Sequence, residues 1–230
     1  MRELVLDRVQ FSYQVQDARV RALRDISLTL RPGNSYLLCG QSGSGKSTLG
    51  LLLAGLLPPE HGSLRWTPAA AGEPVTAYVF QFPEQLFFCD SVRDEFREVA
   101  RRDDWSSLQP LLARFGLNDE HLLAQHPYLL SMGYARLTAI ALQAAREPDL
   151  LIMDEPTIGL DDHHTRIVTT FLQSWPTADR ILITITHDLD LIRAIGGTCL
   201  ILRDGALVWS GPHTELLNQP DQLLQFGLSV

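Results

Sequence analysis

The segment between residues 35 and 57 constrains the fold more than any other part of the sequence. A short apolar run, Ser35–Cys39, is followed by a turn rich in glycine and serine and then by residues with helical spacing, Lys46–Leu57. Residues 40–47 fit the pattern G-x-x-x-x-G-K-[ST]. Because a run that is apolar throughout is typical of a strand buried on both faces of a parallel sheet, the segment predicts a strand, a glycine loop and a helix in direct succession.

The residue types in this loop suit the binding of phosphate groups. Glycines let backbone N–H groups turn toward phosphate oxygens, and the N-terminus of the next helix adds partial positive charge. Lys46, the only lysine in the chain, is placed to reach the β- and γ-phosphates of a nucleotide, and Ser47 offers a hydroxyl to Mg²⁺. The alternative is a glycine- and serine-rich turn with an incidental lysine. The predicted phosphate-binding residues are Gly40, Gln41, Ser42, Gly43, Ser44, Gly45, Lys46 and Ser47.

Two carboxylates follow a second apolar run, Leu150–Met153. In phosphate-loop NTPases an aspartate at a strand end steadies the Mg²⁺ shell, which is the role we predict for Asp154. A neighbouring carboxylate, here Glu155, can orient and deprotonate the water that attacks the γ-phosphate. Alone, the pair could be a solvated strand end, but the phosphate loop favours the catalytic interpretation. His187 closes a further apolar strand and is either a γ-phosphate contact or a surface residue.

The remaining pattern predicts an α/β protein. Alternating apolar and polar residues in Glu3–Phe11 and Ile26–Leu30 favour half-buried antiparallel strands, and Pro58–Gly72, rich in proline and glycine, is predicted to be a loop. Buried strands that alternate with helices predict a parallel sheet. The other predicted strands are Val75–Gln81, Leu150–Met153 and Ile181–Thr186, with a hairpin formed by Thr198–Leu202 and Ala206–Ser210.

Strand patterns are absent from Pro83 to about Asp149, which predicts a helical insert in a sheet domain. The predicted helices of this insert are Val92–Ala100, Ser106–Phe115 and Ala135–Arg146. We also predict helices over His164–Trp175 and in the tail from His213.

Charge and composition narrow the function classes. The net charge of -8 argues against nucleic-acid binding, which needs a basic face. Three cysteines far apart in the sequence predict neither a disulfide framework nor a C-x-x-C metal site, and favour a reducing compartment. The first ten residues do not have the pattern of a secretory signal, and Leu49–Leu57, the longest apolar run, is about half a membrane span. We therefore expect a protein held at a membrane only through partners, if at all.

Further motifs make the sequence resemble the ATP-binding cassette (ABC) ATPases from about Leu4 to Gly211. Gly40–Thr48 matches the phosphate loop of that family. Leu130–Tyr134 stands where the family has its L-S-G-G-Q signature, and Thr157–Asp161 resembles the loop that communicates across the dimer.

The resemblance also implies roles for single residues. Gln81 is similar to the glutamine that ligates Mg²⁺ and senses the transmembrane partner, and His187 matches the switch histidine. Tyr13 is similar to the aromatic that stacks on adenine, unless it is an ordinary tyrosine at a strand end. The implied catalytic residues are Glu155, His187 and Lys46. The implied nucleotide-binding residues are Tyr13, the loop residues Gly40, Gln41, Ser42, Gly43, Ser44, Gly45, Lys46, Ser47 and Thr48, and also Gln81, Ser131 and Gly133. The implied Mg²⁺ ligands are Ser47, Gln81 and Asp154.

A narrower resemblance concerns the segment Val79–Phe87, which looks like the Q-helix segment of energy-coupling-factor (ECF) ATPases. Those proteins drive uptake of vitamins and of cobalt or nickel ions. His126–Leu129 resembles their S-P-F-E lead-in to the signature. Four apolar residues suit a groove that accepts a partner's coupling helix, unless they pack inside the helical insert: Phe82, Leu86, Phe87 and Phe88.

Three residues depart from the family pattern. Met132 replaces the first glycine of the signature, Tyr134 replaces its glutamine, and Ile158 replaces a small residue of the dimer loop. Met132 adds a side chain where the backbone should come near the phosphate of the other subunit. The residues leave open whether the nucleotide that faces this altered signature can be hydrolysed. In a mixed dimer, the second subunit would supply an intact signature to the nucleotide bound by this chain.

The resemblance implies an ABC nucleotide-binding domain: an α/β, RecA-like P-loop NTPase core with an antiparallel β-subdomain and a helical insert. Residues 1–82 would form the core with the β-subdomain and phosphate loop, residues 83–149 the helical subdomain, and residues 150–230 the rest of one discontinuous domain.

The implied function is hydrolysis of ATP with Mg²⁺ to power transport, as the ATPase of an ECF-type importer of a vitamin or metal ion. The implied partners are a second cassette, identical or not, and an integral-membrane subunit docking near Gln81–Phe88. The location would be cytoplasmic, on the inner face of the membrane. The alternatives are the ATPase of an ordinary ABC importer or exporter, and a low-turnover nucleotide-gated regulatory subunit. The residues do not name the cargo or the direction of transport.

The run from Asp161 to His164 allows two interpretations. Its carboxylates can cap the next helix and favour its dipole. Together with the two histidines they could instead ligate a metal. We favour the helix cap.

Overall fold

The structure, a computed structural model, describes residues 2–68, 72–82, 86–100 and 105–228. The strands within these residues are β1 Glu3–Val15, β2 Ala18–Leu30, β3 Ser35–Cys39, β4 His61–Thr67, β5 Thr76–Val79, β6 Leu150–Asp154, β7 Ile181–Ile185, β8 Thr198–Arg203 and β9 Ala206–Pro212. The α-helices are α1 Lys46–Leu53, α2 Val92–Ala100, α3 Gln109–Arg114, α4 Glu120–Leu123, α5 Met132–Ala145, α6 Asp162–Ser174, α7 Leu189–Ile195, α8 His213–Leu217 and α9 Pro220–Gln225.

The larger sheet has the strand order β5-β6-β7-β3-β8-β9. Its first five strands are parallel, and β9 pairs antiparallel with β8 as the predicted hairpin. Every residue of β3, β6 and β7 is buried, as expected for strands covered on both faces. Ile185 pairs with both Leu38 and Asp154. The segments that follow β3, β6 and β7 therefore leave the sheet side by side, at the edge where α/β proteins bind ligands.

The smaller sheet is antiparallel, with the order β2-β1-β4. It contains a strand where the sequence predicted a loop, because β4 lies within Pro58–Gly72. The alternation of Leu64 and Trp66, which pair with Leu6 and Leu4 of β1, is too short to stand out between flanking prolines. Leu4 and Leu6 pack in one buried cluster with residues of α1 and the larger sheet, so the two sheets share a core.

Every described element between β5 and β6 is helical, as expected for the insert. Its core contains Phe96, Phe115 and Leu137 from α2, the end of α3 and α5. The short helices α4 and α7 had no clear signal in the sequence. Helix α1 ends at Leu53, four residues earlier than predicted.

The α/β fold with an antiparallel subdomain and a helical insert is confirmed. The predicted tail helices are present as α8 and α9, and Cys39, Cys89 and Cys199 are free thiols. In the part of the chain that the structure describes, no helix is both long and apolar enough to cross a bilayer.

Candidate active site

The glycine loop leaves the carboxyl end of β3 and ends at the N-terminus of α1. Gly40 has a φ of 140°, and a Cβ there would lie within 3.0 Å of the carbonyl oxygen of Leu202 on β8, so the loop passes too close to the sheet for a side chain. The Nζ atom of Lys46 donates hydrogen bonds to the carbonyl oxygens of Gly40 at 2.7 Å and Gln41 at 2.9 Å. The loop thus curls around its own lysine.

Lys46 lies in a half-buried position that faces two acidic residues. Burial lowers the pKa of its ammonium group, and the negative charges of Glu155 and Asp154 act in the opposite direction. The ammonium group of Lys46 and both carboxylates line a single cavity. An arriving triphosphate would add further negative charge to this cavity.

Asp154 is the last residue of β6 and is mostly buried. Its Oδ2 accepts a 2.9 Å hydrogen bond from the hydroxyl of Tyr78 on β5. Burial, followed by the charge of Asp154, raises the pKa of Tyr78, so this hydroxyl stays a donor at neutral pH. The bond fixes one carboxylate oxygen of Asp154. Sequence reasoning missed Tyr78, because nothing in the pattern of β5 distinguishes it from an ordinary buried tyrosine.

Glu155 follows Asp154 in a left-handed backbone conformation with a φ of 48°, a conformation that costs about 1–3 kcal/mol for a residue other than glycine. Its backbone N–H donates to the carbonyl of Ile185 at 2.9 Å. Its Oε2 accepts a hydrogen bond from the hydroxyl of Thr186 at 3.1 Å, and its Oε1 lies 2.6 Å from Nδ1 of His187. The strained backbone and two side-chain contacts hold the carboxylate in one orientation.

Most of the sequence-predicted site residues line one cavity of about 590 Å³. The structure brings together the loop, both carboxylates, Gln81, His187 and Tyr13. It adds residues for which the sequence predicted no place in this cavity: three from β2, Gly227 after α9, and Ile158 of the segment Thr157–Asp161, called the dimer-loop segment below. The cavity is lined by Tyr13, Val20, Arg21, Ala22, Gly40, Gln41, Ser42, Gly43, Gly45, Lys46, Ser47, Thr48, Gln81, Asp154, Glu155, Ile158, His187 and Gly227.

Three of the predicted site residues, Tyr13, Ser44 and His187, differ in how they relate to this cavity. The hydroxyl of Tyr13 lies 3.3 Å from Oγ1 of Thr48, and its ring contacts Phe11 edge-to-face at 4.9 Å between centroids. Its stacking on adenine stays a prediction. Ser44 does not line the cavity; its side chain is buried. His187 is 63% exposed, yet its ring nitrogen contacts Glu155.

Gln81 lies between this cavity and a second one of about 430 Å³ with mostly apolar walls. Phe82 and Phe88 are 56% and 70% exposed, whereas Phe87 is buried. Of the four residues predicted to form a groove, Phe82 and Phe88 are therefore available at the surface. Phe87 packs inside the helical insert, and Leu86 packs against the core of the insert. Residues 83–85 of the ECF-like segment lie outside the described residues. The second cavity is lined by Gln81, Phe82, Phe87, Pro127, Tyr128, Leu130, Met132, Ala135, Arg136, Ile158 and Gly159.

The signature segment does not line the cavity of its own phosphate loop. Ser131 caps α5 by accepting a hydrogen bond from the backbone N–H of Tyr134. A Cβ on Gly133 would lie 2.9 Å from the ring of His164 on α6. Met132 is 62% exposed, and its Sδ lies 2.8 Å from the position of a Cβ on Gly159. The signature is packed against the dimer-loop segment of the same chain.

Asp161 caps α6, as the sequence predicted. Its side chain accepts a hydrogen bond from the backbone N–H of His164 at 2.8 Å. This bond is the main reason that the pKa of Asp161 lies below its usual value. Among the residues that the structure describes, no group of three or more His, Cys, Asp or Glu side chains is arranged to hold a metal ion.

Comparison with known proteins identifies the family. A family model described as "ABC transporter" matches residues 23–158. The chain is 31% identical over 214 residues to the energy-coupling factor transporter ATP-binding protein EcfA2 of Thermotoga maritima, covering 87% of this chain and 79% of that protein. It is 33% identical over 215 residues to the putative HMP/thiamine import ATP-binding protein YkoD of Bacillus subtilis. That match covers 88% of this chain but only 38% of the length of YkoD.

Solved structures agree on the fold. The cbiO1 protein of Clostridium perfringens, described as part of the ABC transporter complex cbiONQ, has a TM-score of 0.76 at 25% identity, covering 99% of this chain and 95% of that one. A dimeric, post-hydrolysis form of the ATP-binding cassette MJ0796 with ADP and Pi bound has a TM-score of 0.78 at 22% identity, covering 91% and 98%. The chain belongs to the ATP-binding cassette transporter family, as one of its ATP-hydrolysing subunits.

Proposed function

We propose that this chain hydrolyses ATP with Mg²⁺ to drive an ECF-type importer of a vitamin or metal ion. The observation that carries the catalytic part is the shared cavity, in which the ammonium group of Lys46 and the fixed carboxylate of Glu155 face each other beside the phosphate loop. The relatives EcfA2 and YkoD, both named for transport, support the importer class.

The proposed roles follow from the contacts within the chain. Lys46 exchanges its hydrogen bonds to the carbonyls of Gly40 and Gln41 for phosphate oxygens, and the backbone N–H groups of the loop bind the same phosphates. Glu155 accepts a proton from the attacking water. Thr186 and His187 keep the Glu155 carboxylate in place for this step, and His187 is exposed enough to contact the γ-phosphate as well.

The residues present fit a divalent cation beside the phosphates. The carboxylate of Asp154, the hydroxyl of Ser47 and the side chain of Gln81 line the same cavity and supply oxygen ligands of the kind that Mg²⁺ prefers. A bound Mg²⁺ would neutralise the negative charge of the phosphates. The hydrogen bond from Tyr78 keeps one oxygen of Asp154 oriented for this purpose.

The signature residues support pairing with a second cassette. Ser131 and Gly133 do not line the cavity of their own phosphate loop, so we infer that they contact the nucleotide of a partner subunit, arranged head to tail. The description of MJ0796 as a dimer with ADP and Pi bound supports a second cassette as partner. The proposal holds for a homodimer or a heterodimer.

The membrane partner would dock beside Gln81. Exposed Phe82 and Phe88, together with the apolar cavity next to them, offer a surface for a helix of an integral-membrane subunit. The description of cbiO1 as part of a transporter complex supports such a partner. The chain would then be a peripheral protein on the cytoplasmic face of the membrane, and segments 1–82, 83–149 and 150–230 remain our proposed division of the domain.

One observation favours the second candidate, a nucleotide-gated regulatory subunit with little turnover. Met132 places a large side chain at the first turn of α5, against Gly159 of the dimer-loop segment. In a homodimer this side chain would stand beside both nucleotides. Replacing Met132 with glycine should raise the steady-state ATPase rate if the second candidate is correct, and should change it less than twofold if the first is.

The hydrolytic role is tested with purified protein and three variants. Glu155→Gln should reduce phosphate release by about 10²–10⁴-fold while nucleotide binding is kept. Lys46→Ala should lose nucleotide binding, and Arg97→Ala, on an exposed part of α2, is the control that should keep both. If Glu155→Gln releases phosphate at the wild-type rate, the assignment of Glu155 as the base is wrong.

Docking is tested by recovering the chain with its membrane subunits from native membranes and identifying those subunits. Phe82→Asp with Phe88→Asp should abolish recovery, whereas Leu224→Asp, an equally exposed apolar residue on α9, should not. Equal recovery of membrane subunits with the wild type, the Phe82→Asp and Phe88→Asp double variant and Leu224→Asp would contradict the proposed surface. The identity of the recovered subunits separates an ECF-type importer from an ordinary importer or exporter.

A further inference from the structure

The segment that follows α9 reaches the nucleotide cavity. Gly227, two residues beyond α9, lines the cavity together with Gln41 and Lys46 of the phosphate loop. A Cβ on Gly227 would lie within 3.0 Å of the Cγ of Gln41, with the amide of the same side chain just beyond. Gly227 is therefore in close contact with the loop, across 186 positions of sequence.

The turn around Gly227 is held firmly by the core. The N–H of Leu228 donates to the carbonyl of Leu223 at 2.9 Å, and the N–H of Gly227 donates to Leu224 at 3.1 Å, the two bonds of a Schellman helix end. Phe226 and Leu228 are buried in the same cluster as Leu37 and Cys39 of β3, the strand that leads into the phosphate loop. The turn and the loop rest on one strand.

The contact bears on phosphate binding through Gln41. Its backbone carbonyl accepts hydrogen bonds from Nζ of Lys46 at 2.9 Å and from the N–H of Ser44 at 3.2 Å. A shift of Gln41 would move an oxygen that holds the lysine. We propose that the turn around Gly227 is a positioning element of the nucleotide site, in which Gly227 fixes the position of Gln41 and thereby of Lys46. This inference rests on the binding of ATP in the cavity.

The chain contains a matched control for the backbone of Gly227. Gly116 ends α3 with the same pair of hydrogen bonds, from Leu117 to Leu112 and from Gly116 to Ala113. Its φ of 67° is close to the 70° of Gly227, and a Cβ there would meet no atom within 4 Å. Alanine at either position carries the same left-handed strain. Only alanine at position 227 also displaces Gln41.

The test compares Gly227→Ala with Gly116→Ala. Both should lose a similar amount of thermal stability, but Gly227→Ala should raise the KM for ATP about tenfold and leave kcat within about twofold, whereas Gly116→Ala should leave KM unchanged. Removing the displaced side chain should restore binding, so Gln41→Ala with Gly227→Ala should have the KM of Gln41→Ala alone. Equal KM values for the two glycine variants, or additive effects in the double variant, would overturn the proposal.

Two further measurements keep the test decisive. Asparagine tolerates left-handed backbone better than alanine, so Gly227→Asn and Gly116→Asn replace the alanine pair if Gly227→Ala does not fold. Lys46, as the only lysine, can be followed by the rate of amine labelling without nucleotide, which should change in the 227 variant and not in the 116 variant. A wild-type protein that does not bind ATP would contradict the proposed function. If the wild type binds ATP but the variants at positions 227 and 116 have the same KM and the same labelling rate, only the role of the turn is contradicted.

Discussion

The guanidinium of Arg136 donates a 2.6 Å hydrogen bond to the backbone carbonyl of Gln81. A second bond, of 3.0 Å, reaches the carbonyl of Phe80. Arg136 belongs to α5, the helix that begins with the signature segment, and is only 2% exposed. A buried arginine thus joins the signature helix to the segment that leads from β5 to the proposed membrane-docking surface.

Replacing Arg136 should affect both stability and the position of Gln81. Arg136→Met leaves two carbonyls without this donor, and we expect a loss of about 3 kcal/mol, or roughly 5–15 °C in Tm. Arg136→Lys keeps the charge but cannot span both carbonyls, so its effect should be intermediate. Thermal unfolding checks the prediction, with Arg97→Ala, which breaks an exposed ion pair, as a control expected to change stability by less than about 1 kcal/mol. A Tm of Arg136→Met equal to that of the wild type would contradict it.

Lys46 should titrate below an ordinary lysine, because burial lowers its pKa. The rate of amine labelling, measured against pH and assigned to Lys46 by peptide mapping, should therefore have its midpoint below that of a short lysine peptide. Bound MgATP should move the midpoint upward, since phosphate charge favours the ammonium form.

The same shift has a consequence for stability. Between the folded pKa of Lys46 and the ordinary value of 10.5, the unfolded chain binds the proton and the folded chain does not. The contribution of this group to stability therefore rises with pH in that window. If the labelling midpoint of Lys46 lies at or above that of the peptide, burial does not lower the pKa of this lysine, and the predicted pH dependence of stability is wrong.

Tyr78→Phe should weaken the response to Mg²⁺ rather than the fold. The substitution removes the 2.9 Å hydrogen bond to Asp154 and leaves the ring in place. Hydrogen bonds to charged groups contribute about 1.5–3 kcal/mol, so we expect at least a tenfold higher Mg²⁺ concentration for half-maximal ATPase activity. Tyr36→Phe is the control, because the Tyr36 hydroxyl accepts its bond from the backbone N–H of Arg31, outside the cavity lining. An unchanged Mg²⁺ dependence in Tyr78→Phe would mean that Asp154 does not need this donor.

Glu155 and His187 should behave as one unit in kinetics. Because His187 contacts the Glu155 carboxylate at 2.6 Å, most of its effect on turnover should pass through Glu155. Single-turnover phosphate release should be slowed by both single variants, Glu155→Gln and His187→Ala. The double variant should be no slower than Glu155→Gln within about threefold. Effects that multiply would instead indicate that His187 acts independently, for example directly on the γ-phosphate.

The phosphate loop and the carboxylate strand were predictable because their signals are local. A glycine pattern, one lysine and an apolar strand in front of them specify a loop between strand and helix, whatever the rest of the chain does. The same holds for the cap of α6 by Asp161, which depends on residues three positions apart. Strand β4 was missed because its signal is not local: Leu64 and Trp66 become a strand only by pairing with β1.

Sequence alone therefore identified the residues of the proposed site, which the structure places around one cavity: a glycine loop with one lysine, two carboxylates at a strand end and a histidine after another strand. Tertiary structure decided which other residues contact the residues of the site and hold them in position. Tyr78 meets Asp154, Arg136 meets Gln81 and Gly227 meets Gln41 across separations of 55 to 186 residues. The physical reason is that side-chain contacts between distant segments depend on strand order and register, which no local pattern of residue types encodes.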